Sequence, residues 1–343
     1  MINAKDKIKA GIISCSSIGD SLLFLIIANN LKQNNFNVTF YSSILYDLRN
    51  WIKDINVEPS LTLTKEFIYC CSHNDIVFVD RAANVTEFYS LINLHEIPFN
   101  CIFISISNIK FGLFNFDYQQ RFSSHTNDSN KLQRLLQFAQ IKQTVIARCS
   151  TTVPMVERVK IFCQQILCLK CVTIENGLQP PHSLVYRKNI KRVIIHPASH
   201  DAKKNWPVQK FILLARKLQN DGWQVVFTVS PVEWDKWRQI TPEGILLPKF
   251  PSILQLAEYV YESGYMIGND SGVGHLASNL KIPTVTIIKK RDKFYRWRPG
   301  WYINKLVIPI FSFQLFKFFP KRFYYLPVSR VVKIFYTLVY DIT

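Results

Sequence analysis

The sequence predicts an α/β protein made of two doubly wound parallel sheets, and three observations lead there. Apolar, β-rich runs alternate with segments of helical period along most of the 343 residues. The alternation stops once, at Asn176-Gly177-Leu178-Gln179-Pro180-Pro181, where two prolines and a glycine interrupt regular structure, and then begins again. Polar, glycine-containing turns follow several of the strands, which is where open α/β sheets hold their ligands. Length agrees, since chains divide at roughly 100–200 residues per domain.

In the first half the strands are Ala10–Ser14, Asn37–Tyr41, Asp75–Val79 and Cys101–Ile106, each a short run of valine, isoleucine and aromatic residues. Ser21–Gln33 and Val85–Leu94 carry the helical spacing between them. The second half gives strand Arg192–His196, helix Pro207–Gln219 with proline at its favoured first position, strand Gln224–Val229, helix Pro231–Gln239 and strand Ile245–Leu247. Helix Ser252–Ser263, strand Tyr265–Ile267, helix Gly272–Leu280 and strand Thr284–Ile288 continue it. A last helix carries the stripe Val328, Val331, Val332, Phe335, Leu338 and Val339. The expected domains are 1–175, a linker 176–191, 192–325, and a terminal helix 326–343 free to pack back on the N-terminal domain. Such halves would place a cleft between the carboxyl ends of the two sheets.

Composition narrows the function. With 48% hydrophobic residues the chain is too apolar for a disordered polycation, yet 42 Lys and Arg against 24 Asp and Glu leave it at +18. Residues 171–343 hold 25 of those cations and 11 of the anions, so the second half is where an anionic ligand is expected. From Lys293 to Tyr340 there are nine Lys or Arg, no acid, and many aromatic residues, a composition suited to an anionic membrane surface or a nucleic acid. No run of about 18 uncharged apolar residues predicts a spanning helix, and Met1 to Lys9 lacks the core of a signal peptide. The expectation is a cytosolic or membrane-peripheral protein. The eight cysteines, including Cys168-x-x-Cys171, read as small buried thiols in place of a metal or redox set.

Four segments could carry chemistry. In Ser16-Ser17-Ile18-Gly19-Asp20, Gly19 permits close backbone approach, and Asp20 is either a general base or a helix N-cap. In His196-Pro197-Ala198-Ser199-His200-Asp201-Ala202-Lys203-Lys204-Asn205-Trp206-Pro207, hydroxyl and ammonium groups between strand and helix suit a phosphate or form a solvated basic loop. In Gly268-Asn269-Asp270-Ser271-Gly272-Val273-Gly274-His275, glycines at a helix start let backbone amides face a pyrophosphate, and Asp270 can accept sugar hydroxyls. The competing reading is an Asp/Ser cap with His275 in the core. Glu233, after Ser230-Pro231 at a strand end, stands where acids hold ribose hydroxyls.

Taken in order, these segments resemble glycosyltransferase family 9, the ADP-heptose:lipopolysaccharide heptosyltransferases. Ser17-Ile18-Gly19-Asp20 is similar to the opening G-D motif. His196-Pro197-Ala198-Ser199, Lys204-x-Trp206-Pro207 and Phe211-x-x-Leu214-Ala215-x-x-Leu218 are similar to the second, and Gly268-Asn269-Asp270-Ser271-Gly272-x-x-His275-Leu276-Ala277 to the most specific signature. The resemblance implies a GT-B fold of two Rossmann-like domains, the first binding the acceptor and the second a nucleotide sugar. It implies an inverting transfer without metal or other cofactor. Asp20 matches the catalytic base, while Ser199, Lys204, Ser271 and Gly272 match groups on the donor diphosphate. Asp270 matches a donor-sugar contact, Glu233 the ribose ligand, Phe250 within Leu247-Pro248-Lys249-Phe250 the adenine lining, and His275 a supporting histidine.

Gly19 and Arg81 fall on the expected acceptor side. The chain departs from the family pattern at Ile26, where proline is usual, and at Lys289-Lys290-Arg291-Asp292, which replaces Gly-Pro-Thr-Asp. Asp80-Arg81-Ala82-Ala83-Asn84 lacks the usual glycine. The expected partners are an ADP-sugar donor, a lipopolysaccharide core acceptor and the anionic inner-membrane surface, with no nucleic acid. The rival readings are a hexosyltransferase or nucleotide-sugar epimerase on the same fold, and a basic membrane-surface protein without catalysis.

Overall fold

The computed structural model describes residues 7–80, 83, 101–104, 153–199, 205–288, 296–313 and 323–342. The helix expected at Val85–Leu94, together with Arg81, Lys203, Lys204 and Lys289–Arg291, lies outside the described residues. The chain forms two compact units, Met1–Cys149 with Val156–Gln179, and Ser150–Met155 with Pro180–Thr343.

The N-terminal unit runs β1 (Lys9–Ile13), α1 (Ile18–Gln33), β2 (Asn37–Tyr41), the single turn α2 (Ser43–Tyr46), β3 (Asn56–Glu58), α3 (Thr64–His73), β4 (Ile76–Asp80), β5 (Cys101–Ile104) and α4 (Met155–Gln165). Its sheet has the order β3-β2-β1-β4-β5, and every pairing is parallel. Because the chain moves outward one way from β1 to β3 and the other way through β4 and β5, the order reverses between β1 and β4.

Helix α1 is apolar on all sides and buried from Ser21 to Leu31, as a helix covered on two faces must be. Each leucine or phenylalanine so buried contributes about 1.5–3 kcal/mol. The sheet lies on one side, and the chain from Lys170 to Glu175 runs along the helix, held by asparagine side chains. Asn34 Oδ1 accepts from the Lys170 N–H at 2.9 Å, and its Nδ2 donates to the Cys171 carbonyl at 2.9 Å. Asn30 treats Thr173 in the same two-way manner, at 2.7 and 2.9 Å, and Asn29 donates to the Glu175 carbonyl at 2.8 Å. Gly177, at φ +81°, turns the chain so that Leu178 bridges Ile52.

The C-terminal unit runs β6 (Asn189–His196), α5 (Val208–Asn220), β7 (Gln224–Phe227), α6 (Trp234–Ile240), α7 (Ile253–Tyr261), β8 (Ser263–Asn269), α8 (Gly272–Asn279), β9 (Thr284–Ile287), β10 (Asn304–Val307), the hairpin β11 (Phe311–Phe313) and β12 (Phe323–Tyr325), and α9 (Val328–Tyr340). The sheet order is β10-β9-β8-β6-β7, again all parallel. The strand expected at Ile245–Leu247 is a single parallel bridge, Val226 to Leu246, at the outer side of β7. With that bridge counted, the order matches the six-position dinucleotide-binding sheet, and it reverses between β6 and β8.

Several expectations are corrected. The apolar stripe of the last helix, Val331, Phe335 and Leu338, is buried in the core of the C-terminal unit with Trp223, Tyr265 and Leu218. The Trp223 and Phe335 rings meet edge-on at 5.0 Å. Pro207 is the N-cap of α5, one residue before the helix, with φ −55° and ψ 137°. Helix α6 begins at Trp234, not Pro231, because Glu233 Oε2 accepts from the Ser230 N–H and hydroxyl and closes a turn there. Cys15, Cys70, Cys71, Cys101 and Cys163 are buried, but Cys168 and Cys171 are exposed, since the segment they occupy uses its backbone to meet Asn34.

Candidate active site

In the N-terminal unit the point of reversal is lined by the loop between β1 and α1 and by the end of β4. The cap of α1 is Ser17, whose hydroxyl accepts from the Asp20 N–H at 3.5 Å, so Asp20 sits in the first turn and is not the N-cap. Its carboxylate is half-buried and accepts from the Cys15 thiol at 3.8 Å. Asp80, the last residue of β4 and buried, faces the same thiol from the neighbouring strand.

Burial first, and then the Asp80 and Asp20 charges, push the Cys15 thiol far above its ordinary value, so it is a protonated donor and not a nucleophile. The loop rests on buried hydroxyls: Ser21 donates to the Cys15 carbonyl at 2.8 Å and lies 2.9 Å from the Ser14 hydroxyl. Gly19 is buried in the first turn. This edge offers a carboxylate that can accept a proton.

In the C-terminal unit the point of reversal brings together two of the sequence segments. The β6–β8 ladder ends with His196 opposite Gly268, where a Cβ on Gly268 would lie 2.7 Å from the His196 carbonyl oxygen. Only glycine fits such an approach. His196 is buried, and its Nδ1–H donates to the Thr228 carbonyl at 2.8 Å. Burial lowers its pKa to about 4, so the ring is neutral and serves the frame.

One residue past the ladder, the Asn269 side chain accepts from the Trp206 N–H at 3.0 Å and donates to the Pro197 carbonyl at 2.6 Å. The Ser199 hydroxyl donates to Asn205 Oδ1 at 2.6 Å, which also receives Asn269 Nδ2 at 3.4 Å. Ser199 therefore stands beside the strand end that leads into Asp270 and Ser271.

Ser271 caps α8 and accepts from the Gly274 N–H at 3.4 Å, leaving the N–H groups of Gly272 and Val273 as the helix's outward donors. Asp270 Oδ1 is 4.0 Å from His275 Nε2, and both side chains are largely buried. His275 also meets the Trp301 ring edge-on at 6.1 Å. Hydroxyls, helix-start amides and the positive end of a helix dipole thus share one strand edge, a combination that binds phosphate.

Glu233 lies beyond the end of β7, and both its bonds to Ser230 fall on Oε2. Phe250 is half-buried, its ring 5.3 Å from Tyr259. Trp234, the residue after Glu233, donates Nε1–H to the Leu247 carbonyl at 3.2 Å and lies under the cations of Arg238 and Lys249, 5.5 and 5.2 Å from its ring centre. The sequence gives Trp234 no role, although a tryptophan directly after the expected ribose ligand was the available signal. Asn205, Asn269, Cys15 and Asp80 were also passed over as site residues. Among the described residues no three His, Cys, Asp or Glu side chains gather as metal ligands would.

A profile of glycosyltransferase family 9, described as heptosyltransferase, matches residues 113–300, more than half of the chain. The chain belongs to glycosyltransferase family 9. Among relatives, lipopolysaccharide heptosyltransferase 3 of Escherichia coli K12 is 30% identical over 122 residues, 33% of this chain and 34% of that protein. The match spans about a third of the length of such curated relatives.

A family 9 glycosyl transferase structure from Veillonella parvula superposes with a TM-score of 0.65 at 14% identity, covering 98% of both chains. An E. coli heptosyltransferase solved with ADP superposes at 0.58 and 14% identity, over 87% of this chain and 93% of that one. These likenesses show the fold, the two-domain α/β GT-B architecture expected from the sequence. In this family 9 chain, Ser17–Asp20, His196–Ser199 and Gly268–Gly272 fall at the carboxyl ends of the two sheets, Phe211, Leu214, Ala215 and Leu218 form the buried face of α5, and Lys204 lies outside the described residues.

Proposed function

We propose that this family 9 protein is an inverting, metal-independent glycosyltransferase that moves a heptose from an ADP-activated donor to a lipopolysaccharide core acceptor. The observation that carries the reading is the C-terminal strand edge, where Ser199, held through Asn205 and Asn269, stands beside the capped start of α8. The donor diphosphate lies against the Ser199 and Ser271 hydroxyls, the Gly272 amide and Lys204. Asp270 contacts the donor sugar, with His275 behind it. Glu233 takes the ribose hydroxyls, and Phe250 lines the adenine site.

In the transfer, Asp20 accepts the proton of the acceptor hydroxyl as its oxygen attacks the anomeric carbon from the face opposite the phosphate. The bond from that carbon to the β-phosphate oxygen breaks, its electron pair leaves with ADP, and the configuration inverts. Fixed amides and the Lys204 ammonium meet the charge growing on ADP, the kind of stabilisation that is largest when the donors are already in place. This chemistry calls for no metal in principle. Gly19 and Arg81 belong to the acceptor side, and the cation-rich C-terminal half favours peripheral docking on the anionic cytoplasmic face of the inner membrane. Among the described residues no helix is long and apolar enough to cross a membrane.

The test is ADP release across activated sugars, with core oligosaccharides truncated at successive residues as acceptors. Release with ADP-heptose on one truncation step, and not with ADP-hexoses, is the expected result. Equal turnover of a hexose donor would replace the donor assignment, and no release with any pair would remove the reaction.

A further inference from the structure

Past the end of β7, two segments far from any other shared contact are joined by one indole. The chain at residues 245–247 pairs with β7 only at Leu246, whose N–H donates to the Val225 carbonyl at 3.2 Å and whose carbonyl accepts from the Phe227 N–H at 2.8 Å. One residue later that pairing has ended, and the Leu247 carbonyl accepts from Trp234 Nε1–H at 3.2 Å. The Lys249 ammonium lies 5.2 Å from the centre of the same ring, within the range of a cation–π contact. Pro248 fixes one backbone angle between them. The far end of the segment is held by Phe250, whose ring lies 5.3 Å from that of Tyr259 on α7.

Trp234 also directly follows Glu233. The Glu233 carboxylate is held by Oε2, which accepts from the Ser230 N–H at 3.3 Å and from its hydroxyl at 2.6 Å, so Oε1 remains for other donors. An indole suits this junction, because Nε1–H is a donor only and its ring face attracts a cation more strongly than that of any other aromatic side chain. Phenylalanine would keep the face and lose the donor.

We propose that Trp234 is a positioning residue for nucleobase recognition, the strut that fixes residues 247–250 relative to Glu233 and so sets the spacing between the base lining and the ribose carboxylate. This rests on the reading of Glu233 as the ribose ligand and Phe250 as adenine lining. A base and its ribose are joined by a single bond, so their two subsites must keep one spacing to be filled together. A segment tied beforehand spares the ligand the ordering cost that a loose one would impose. Ser199, Ser271 and Gly272, read as diphosphate ligands, stand on other elements, so loosening the strut is felt at the base and not at the phosphates.

Titration calorimetry on the full chain with ADP and UDP tests it, since the two nucleotides share ribose and diphosphate and differ only in the base. The wild-type chain is expected to prefer ADP. Trp234→Phe is expected to weaken ADP about fivefold, a loss of the size of one hydrogen bond, and UDP by less than about twofold, so that the preference shrinks. Equal losses for both nucleotides would mark a role in the fold alone, and unchanged ADP affinity would mark none; either overturns the proposal. A wild-type chain that binds ADP and UDP equally overturns it as well and leaves the diphosphate reading in place. If the wild-type chain binds neither, the donor-site reading fails first and the strut falls with it. Should Trp234→Phe not fold, Lys249→Ala, which removes the cation from the ring at an exposed position, goes through the same two titrations, with about a threefold loss expected for ADP and none for UDP. Equal or absent losses there overturn the proposal.

Discussion

At the carboxyl ends of the N-terminal sheet, Asp20 and Asp80 both face the Cys15 thiol. At the corresponding ends of the C-terminal sheet, Asn269, Asn205 and Ser199 hold one another, and the carboxylate of Asp270 lies 4.0 Å from an imidazole. The two sheets reverse at equivalent places, so topology cannot account for the contrast. Side-chain chemistry does. Two carboxylates at one edge accept a proton readily and repel phosphate, whereas at the other a single carboxylate lies beside an imidazole, among the amides, hydroxyls and helix start that suit an anion. On the proposed reading, one doubly wound frame, used twice, carries a base in one copy and an anion cradle in the other.

The contrast can be broken at either edge. Asp20→Asn is expected to lower transfer by at least about 10³-fold while ADP affinity, read by calorimetry, stays unchanged. Near-normal turnover in that variant would move proton removal away from the acidic edge. The rigid edge responds differently, in stability. Gly268→Ala puts a methyl group 2.7 Å from the His196 carbonyl oxygen, a backbone atom that cannot swing aside, and should cost about 3 kcal/mol in urea unfolding. Gly11→Ala, on β1, meets the Cys70 and Asn74 side chains at 3.1 and 3.2 Å and should cost less, because side chains can move. Equal costs would remove the claim that the C-terminal strand ends are the tighter pair.

A third effect depends on pH. With a folded pKa of about 4, His196 lies below its ordinary range, so between pH 6.5 and 4 the unfolded chain holds a proton that the folded chain refuses. Its contribution is intact above pH 6.5 and declines as pH falls, by up to about 3 kcal/mol. His196→Asn, which keeps a donor for the Thr228 carbonyl, should flatten that part of a stability-against-pH curve; an unchanged slope would assign it to other groups. The smallest effect is expected at Ser21→Ala. It takes the hydroxyl from the Cys15 carbonyl and Ser14, costing about 1–2 kcal/mol by thermal unfolding, with a matching loss of turnover if the loop that carries Asp20 shifts.

Much of this was legible in the sequence. Strand Asn37–Tyr41 appears where Val38 and Phe40 alternate with more exposed neighbours, and the C-terminal alternation, apart from Ile245–Leu247, appears where the valine and isoleucine runs place it, because a central parallel strand such as β8 is buried on both faces. Helix α3 was not, since its inward stripe is Phe67, Cys70 and Cys71, and cysteine does not register as part of an apolar period. The same holds for Cys163 in α4. Strand β3 buries only Val57, too little to make a pattern.

At the site, residues with charge or hydroxyl chemistry at strand ends could be singled out. Asn269 and Asn205 could not be, because an asparagine's role is set by which backbone groups stand around it, and that is known only once residues 63 or 64 positions apart are brought together. Asp80 escaped for a related reason: it needed Cys15, on another strand, to give it meaning.

The asparagines of α1 lead further. Asn30 and Asn34 each bind one residue's N–H and a carbonyl in the chain that runs past them, and Asn29 takes one more carbonyl. A helix surface thereby does for residues 170–175 what a neighbouring strand would do, and it recognises peptide groups without consulting the side chains they carry. At Lys170 nineteen of the twenty amino acids would satisfy Asn34 equally. Proline, which has no N–H to give, is the one that would not. The path of the chain there is written in the helix it passes, and hardly at all in its own sequence.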